Sequence, residues 1–353
     1  MRTTLWILLF LLQFTQVKSQ ERSVTLLFAG DAMQHLPQIH SARGEDGLYQ
    51  YDSCFHLLKE KISNADLVGV NFETTLGGEP YSGYPLFSAP DAFATALRDS
   101  GFDIFFQANN HAVDRGRRGV ERTIQVLDSL GIRHTGTFAD PEKRSLYYPL
   151  MVIQNGIRIA FLNYSYDTNG LPVKEPNVVN LIDSVQIVRD LKMAELYKPD
   201  IIVAQLHWGE EYRINPSQQQ QTIADLLLRK GVQIIIGHHP HVVQPMKVEK
   251  DQGEIRNVVY YSLGNFISNQ QQELTDGGML AEIVIRMKDE ESPAVIDTCG
   301  YSLVWVEKTA HDDGIRYRLI PWPYESLPSM KEEDQQRMHN FVKRAEQIIT
   351  MYN

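Results

Sequence analysis

Short apolar runs alternate with stretches of helical spacing along most of this chain, and that alternation confines it to an α/β architecture. Residues 24–29 read as a buried strand that runs out at Gly30-Asp31. Residues 67–70 read as a second strand, ending at Asn71 and Glu73, and 102–106 as a third, ending in Gln107-Ala108-Asn109-Asn110-His111. Helical spacing falls between them, over 55–64, over 91–99 after Pro90, and over 118–130, where Gly131 stops it. The second half repeats the pattern. Strands are expected over 157–163, 201–207 and 232–236, the last feeding Gly237-His238-His239-Pro240-His241, with helices over 181–196 and 218–230. The character then changes: 242–248, 255–262, 279–287 and 295–306 read as strands without intervening helices, and 331–351 as a closing amphipathic helix. The loop 166–177, with Gly170, Pro172 and Pro176, reads as a lid or flexible connection.

The N-terminus carries a targeting signal. Arg2 precedes the apolar run 5–12, and Val17-Lys18-Ser19 offers a cleavage point after Ser19. The run is well short of the roughly 20 apolar residues a spanning helix needs. Residues 1–19 are therefore expected to be a signal peptide, which places the mature chain in the periplasm or outside the cell, or holds it at the membrane if left uncut. Cys54 and Cys299 are the only cysteines, so no Cys-based zinc site can form; both read as buried small hydrophobes. A net charge of −10 without a dense basic run argues against a nucleic-acid partner. A polyanionic ligand would have to be met locally, by metal or a few arginines.

The chemistry sits where the strands stop. Asp31, Asn71 with Glu73, Asn110 with His111, His207, and the cluster His238, His239, His241 all follow predicted strands. In open α/β sheets ligands bind beyond the carboxyl ends of the strands. Each piece alone has a plainer reading: an Asx turn at Asp31, a solvated strand end at Asn71 and Glu73, a helix cap at Asn110 and His111, a half-buried strand residue at His207. Three imidazoles within one turn have little structural reason, whereas a divalent metal needs neutral nitrogen donors. Arg115, Arg117 and Arg118 lie just beyond the Asn-His motif, where they could meet an anionic substrate or be exposed charges at a helix start. Glu210 and Glu211 could line a rim or a solvated face.

Taken in order, Gly30-Asp31, Asn71-Phe72-Glu73, Asn109-Asn110-His111, His207-Trp208-Gly209-Glu210-Glu211-Tyr212, Gly237 to Pro245 and Ser262-Leu263-Gly264-Asn265-Phe266 resemble the successive motifs of the bacterial capsule synthesis protein CapA family. That family is linked with poly-γ-glutamate capsule synthesis, and the resemblance spans residues 24–266. Its core in turn resembles the calcineurin-like metallophosphoesterases, which implies a four-layer αββα sandwich, with residues 267–353 completing it. The resemblance implies one or two divalent ions (Mn, Zn or Fe) held by Asp31, Glu73, Asn110, His207, His239 and His241. It implies His111, Asp31 and Glu73 in catalysis, and Arg115, Arg117, Glu210 and Asn71 as contacts to substrate. His238 could be a ligand or a supporting residue. Two positions depart from the metallophosphoesterase pattern: Met33 stands where a His follows the first Asp, and Asn71 with Glu73 replaces the bridging Asp. Three functions stay open: a metal-dependent hydrolase of phosphoester or γ-glutamyl bonds, a capsule-machinery component that binds or transfers an anionic polymer, and a scaffold without catalysis.

Overall fold

The computed structural model describes residues 21–289, 291–311, 314–324 and 330–352; the signal segment expected over 1–19 lies outside them. The strands form two halves. In the first, the order is Arg133–Thr135, Ile104–Phe106, Leu67–Phe72, Arg22–Ala32, Gly277–Met287, Val295–His311, with Gly314–Trp322 on the outer side of the last. In the second it is Glu254–Tyr260, Ile234–His238, Ile201–His207, Ile157–Ser165, Leu150–Gln154, with Met246–Asp251 beside the first of these. One residue pair, Ile255 with Ile296, joins the halves.

Period-two alternation explains the layering. Along Arg22–Ala32, Val24, Leu26 and Phe28 enter one core while Leu27 and Ala29 enter another. The first core also takes Ile157, Ile159 and Phe161 from the other half, and Phe161 meets Phe28 and Phe106 with ring centroids 6.4 and 5.9 Å apart. The halves therefore pack face to face. The outer face of the first half is covered by Phe93 and Leu97 of the Asp91–Asp99 helix and Leu127 of the Gly116–Ser129 helix. The outer face of the second is covered by Ile187 and Leu191 of Ser184–Leu196 and by Leu227 of Gln218–Arg229. The result is the αββα sandwich. The closing helix, Glu332–Ile349, puts Met338, Phe341, Val342 and Ala345 into the core between the halves. Helix and flanking strands thus seal that core.

Several elements differ from the sequence reading. The helix expected over 55–64 is broken into Asp52–Phe55, a 3-10 turn at His56–Leu58, and Lys59–Ser63. The strand expected from 242 begins at Met246, because His239 and His241 both have positive φ and the chain is still turning there. The short strand Arg133–Thr135 and the helix Pro141–Tyr147 carry too few apolar residues to show periodicity, and Leu150–Gln154 is a continuous apolar run too short to show alternation. Cys54 is buried, whereas Cys299, on Val295–His311, is only half-buried; both are free. Among the described residues no helix is long and apolar enough to cross a membrane.

The register sets the site. Asp31 lies beside Asn71, and Asn71 beside Phe106; in the other half His238 lies beside His207, and His207 beside Ser165. These parallel strands end level, so their polar termini share one edge. Gly30 is part of that arrangement: a Cβ there would overlap the Gly264 carbonyl oxygen, whose partner is the Asp31 N–H at 3.0 Å. Gly30→Ala should therefore lower the urea midpoint by an amount equivalent to about 1–3 kcal/mol, the usual range for an overpacked core. An unchanged midpoint would show that the two strands can separate without loss.

Candidate metal centre

Backbone accounting shows how the strand ends are held. The Glu73 N–H donates to Ala32 O at 3.1 Å, keeping Glu73 level with Asp31. Asn109 donates through Nδ2 to Phe72 O (2.9 Å) and accepts from the His111 N–H (3.1 Å), forming the turn that presents Asn110 and His111. His239 and His241 have φ of 96° and 59°, a conformation that bulky residues adopt at a cost of about 1–3 kcal/mol and that clusters at functional sites.

Asp31, Glu73, Asn71, Asn110, His111, His207, His239 and His241 are all buried at 3% exposure or less, and the structure brings them together. Asp31, Glu73 and His207 offer one ligand atom each, all within 4.8 Å of one another, and so do Glu73, His239 and His241. Glu73 belongs to both sets. Asn71 Nδ2 donates to Asp31 Oδ1 at 2.8 Å and Glu73 Oε2 at 3.1 Å, and lies 3.3 Å from His207 Nδ1. His207 Nε2 lies 2.9 Å from Asn110 Oδ1. His241 Nδ1 is 3.0 Å from Asp31 Oδ2, and His238 Nδ1 is 3.5 Å from Asp31 Oδ1 while its Nε2 meets Gln205 Oε1 at 2.6 Å.

The electrostatics follow from burial and neighbours. Burial would raise the Asp31 carboxyl, but the adjacent His238 and His241 imidazoles carry it well below the usual carboxylate range. Burial, with the neighbouring Asp31 charge, pushes Glu73 well above it. Burial and His239 lower His207, and burial and His241 lower His239 to about 3. The imidazoles of His207 and His239 are thus neutral and can act as donors.

A divalent cation fits this site. Glu73 Oε1, His239 Nδ1, His238 Nδ1 and Asn71 Oδ1 are buried without a hydrogen-bond partner, although buried polar atoms are nearly always satisfied. Neutral nitrogens and carboxylate oxygens within a few ångströms of one another are the donor chemistry such an ion takes. Met33 is buried and adds no hard donor.

The remaining predicted residues lie apart from this cluster. Arg117 is exposed and bonded to Glu121 Oε1 at 2.7 Å, and Glu210 is exposed and paired with Arg213 at 3.6 Å. Arg115 is half-buried and reaches Ser82 Oγ at 3.3 Å. Other residues were not anticipated. Asp114 Oδ2 lies 2.7 Å from His111 Nδ1 and accepts the Phe87 N–H at 2.7 Å. Gln205 supports His238, and Tyr166 covers His239 with centroids 4.5 Å apart. Gln205 was visible as the residue two before His207 on the same strand face; nothing in the sequence singled out Tyr166.

A family model for the bacterial capsule synthesis protein PGA_cap matches residues 25–270. The capsule biosynthesis protein CapA of Bacillus anthracis is 28% identical over 296 residues, covering 80% of this chain and 68% of that protein. The PGA biosynthesis protein CapA of Bacillus subtilis (strain 168) is 29% identical over 257 residues, covering 69% of this chain and 63% of its own length. Among solved structures, the calcineurin-like phosphoesterase YfkN from Bacillus subtilis superposes with a TM-score of 0.50 at 13% identity, over 92% of this chain and 99% of that one. That likeness concerns the fold alone.

Proposed function

We propose, because the chain belongs to the bacterial capsule synthesis protein PGA_cap family, that its buried His–carboxylate cluster is a metal-dependent hydrolytic centre serving capsule or envelope polymer metabolism. The observation that carries this reading is Glu73: fully buried, shared by both ligand sets, and with one carboxylate oxygen lacking any hydrogen-bond partner. Asp31, Glu73, His207, His239 and His241 would hold one or two divalent ions. Asn110 supports the group through His207. A divalent ion, when bound, polarises a phosphoryl or carbonyl group and makes water a competent nucleophile near neutral pH. The protein's own residues do the rest. His111, oriented by Asp114, stands ready to protonate the leaving group, and Asn71 ties Asp31 to Glu73 so that neither carboxylate swings out. The substrates that suit this chemistry are phosphoesters and γ-glutamyl amides. A signal peptide over residues 1–19 would place the mature chain in the periplasm, outside the cell or at the membrane.

Met33 favours a second reading, a component that binds or transfers polymer without hydrolysis, because it removes one nitrogen donor from the first strand. Elemental analysis of the purified chain, beside a His239→Ala/His241→Ala double variant, separates the two. About one or two equivalents of bound metal, lost in the variant, are expected, together with turnover of phosphoesters or γ-glutamyl amides. No metal in either protein after reconstitution with manganese, zinc or iron would leave binding or transfer standing.

A further inference from the structure

All of the candidate ligands are buried, yet three tyrosines from three separate loops stand over them partly exposed. Tyr166, 36% exposed, lies 4.5 Å from His239 and nearly parallel to His207 at 6.3 Å. Tyr212, 38% exposed, packs 6.2 Å from His241. Tyr84, 73% exposed, lies 6.4 Å from Phe87, whose ring edge meets His111 at 4.6 Å.

The charges around them are acidic. Glu211 bears on Glu73, Tyr166 and Tyr212, and Asp167 on Tyr166. The arginines nearby are engaged or turned away: Arg115 on Ser82, Arg117 on Glu121, Arg213 on Glu210. Arg118 lies on the helix face opposite the buried Gly119, Val120, Thr123 and Leu127. A polyanion lying along these rings would meet carboxylates and ring faces, and the described arginines Arg117 and Arg213 are already paired to Glu121 and Glu210.

We infer that Tyr84, Tyr166 and Tyr212 form the specificity surface of the centre, and that the substrate is a phosphoester whose leaving group is an uncharged ring, such as a sugar or aryl group, seated against these tyrosines. Ring faces bind such groups by stacking and CH–π contact, and an uncharged body avoids repulsion from Glu211. The inference rests on the metal-centre reading above, and it narrows that reading from phosphoesters and γ-glutamyl amides to one substrate class.

The test uses non-hydrolysable probes, so that it does not depend on turnover. Titration calorimetry of the metal-loaded full chain would compare phenylphosphonate, methylphosphonate and poly-γ-glutamate. Phenylphosphonate is expected to bind about tenfold tighter than methylphosphonate, from a single stacked ring. In Tyr166→Ala that ratio should fall to within about twofold, while Tyr166→Phe keeps it. Metal content and melting temperature, read on the same samples, show whether each variant is folded and loaded. Equal affinity for the two phosphonates, no affinity for either, or tighter binding of poly-γ-glutamate would overturn the inference. Phosphonate binding with the expected ratio but without hydrolysis of any phosphoester would uphold it and overturn the hydrolase reading instead.

Discussion

Glu73→Gln should leave the apo protein at least as stable as its parent while removing most of its capacity to hold metal. The two effects have one cause. The Glu73 side chain is fully buried, bonds through Oε2 to Asn71, and leaves Oε1 without a hydrogen-bond partner beside a second carboxylate, Asp31. A buried charge without a counter-ion costs free energy, and burial with the Asp31 charge accordingly drives this carboxyl towards its protonated form. Glutamine has the same shape, still accepts from Asn71, and carries no charge to bury. A divalent cation reverses the balance, because it takes the carboxylate and satisfies the orphaned oxygen. Since both ligand sets include Glu73, the loss in metal affinity should exceed the roughly 10–100-fold typical of losing an outer-shell partner. Thermal unfolding with and without added manganese measures both effects: the parent should be stabilised by the ion, and the variant should not respond. Retention of parental metal stoichiometry would remove Glu73 from the ligand set.

Much of this centre is legible in the sequence because parallel strands end in register. An apolar run that stops at Asp31, Asn71 or His207 announces both the strand and its functional end, and the parallel ladder then aligns Asp31 with Asn71 and His238 with His207. What sequence could not supply is distance across the two halves. His241 sits against Asp31 although 210 residues separate them, and no local pattern encodes that contact. The same limit accounts for Arg117 and Glu210, which neighbour motif residues along the chain but point to solvent, into ion pairs of their own. Asp114 was missed for a different reason: in an irregular turn, an acid three residues after a histidine reads as a helix-capping group. The closing helix was plain from its amphipathic spacing, but its destination between the halves depends on the strands it closes over.

His111 offers the second large effect, and here the leaving group is the diagnostic. Its Nδ1 lies 2.7 Å from Asp114 Oδ2, and that oxygen is itself fixed by the Phe87 N–H, so the ring is oriented before any substrate arrives. Phe87 packs its ring against the imidazole at 4.6 Å and limits its rotation. Burial raises the Asp114 carboxyl, and the bond from His111 opposes that rise, which is the signature of a carboxylate paired to an imidazole. With Nδ1 committed to Asp114, Nε2 is the nitrogen left to deliver a proton. A general acid contributes about 10²–10⁴-fold when the leaving group is a poor one and little when it departs unaided. His111→Asn should therefore lower kcat on an alkyl phosphate by roughly that factor and on a nitrophenyl phosphate by far less. Asp114→Asn should shift the same ratio in the same direction, because it releases the ring without removing it. Metal content should be unchanged in both variants, since neither residue belongs to the sets that share Glu73. Equal losses on the two substrates would mean that His111 stabilises charge in the transition state and does not transfer the proton.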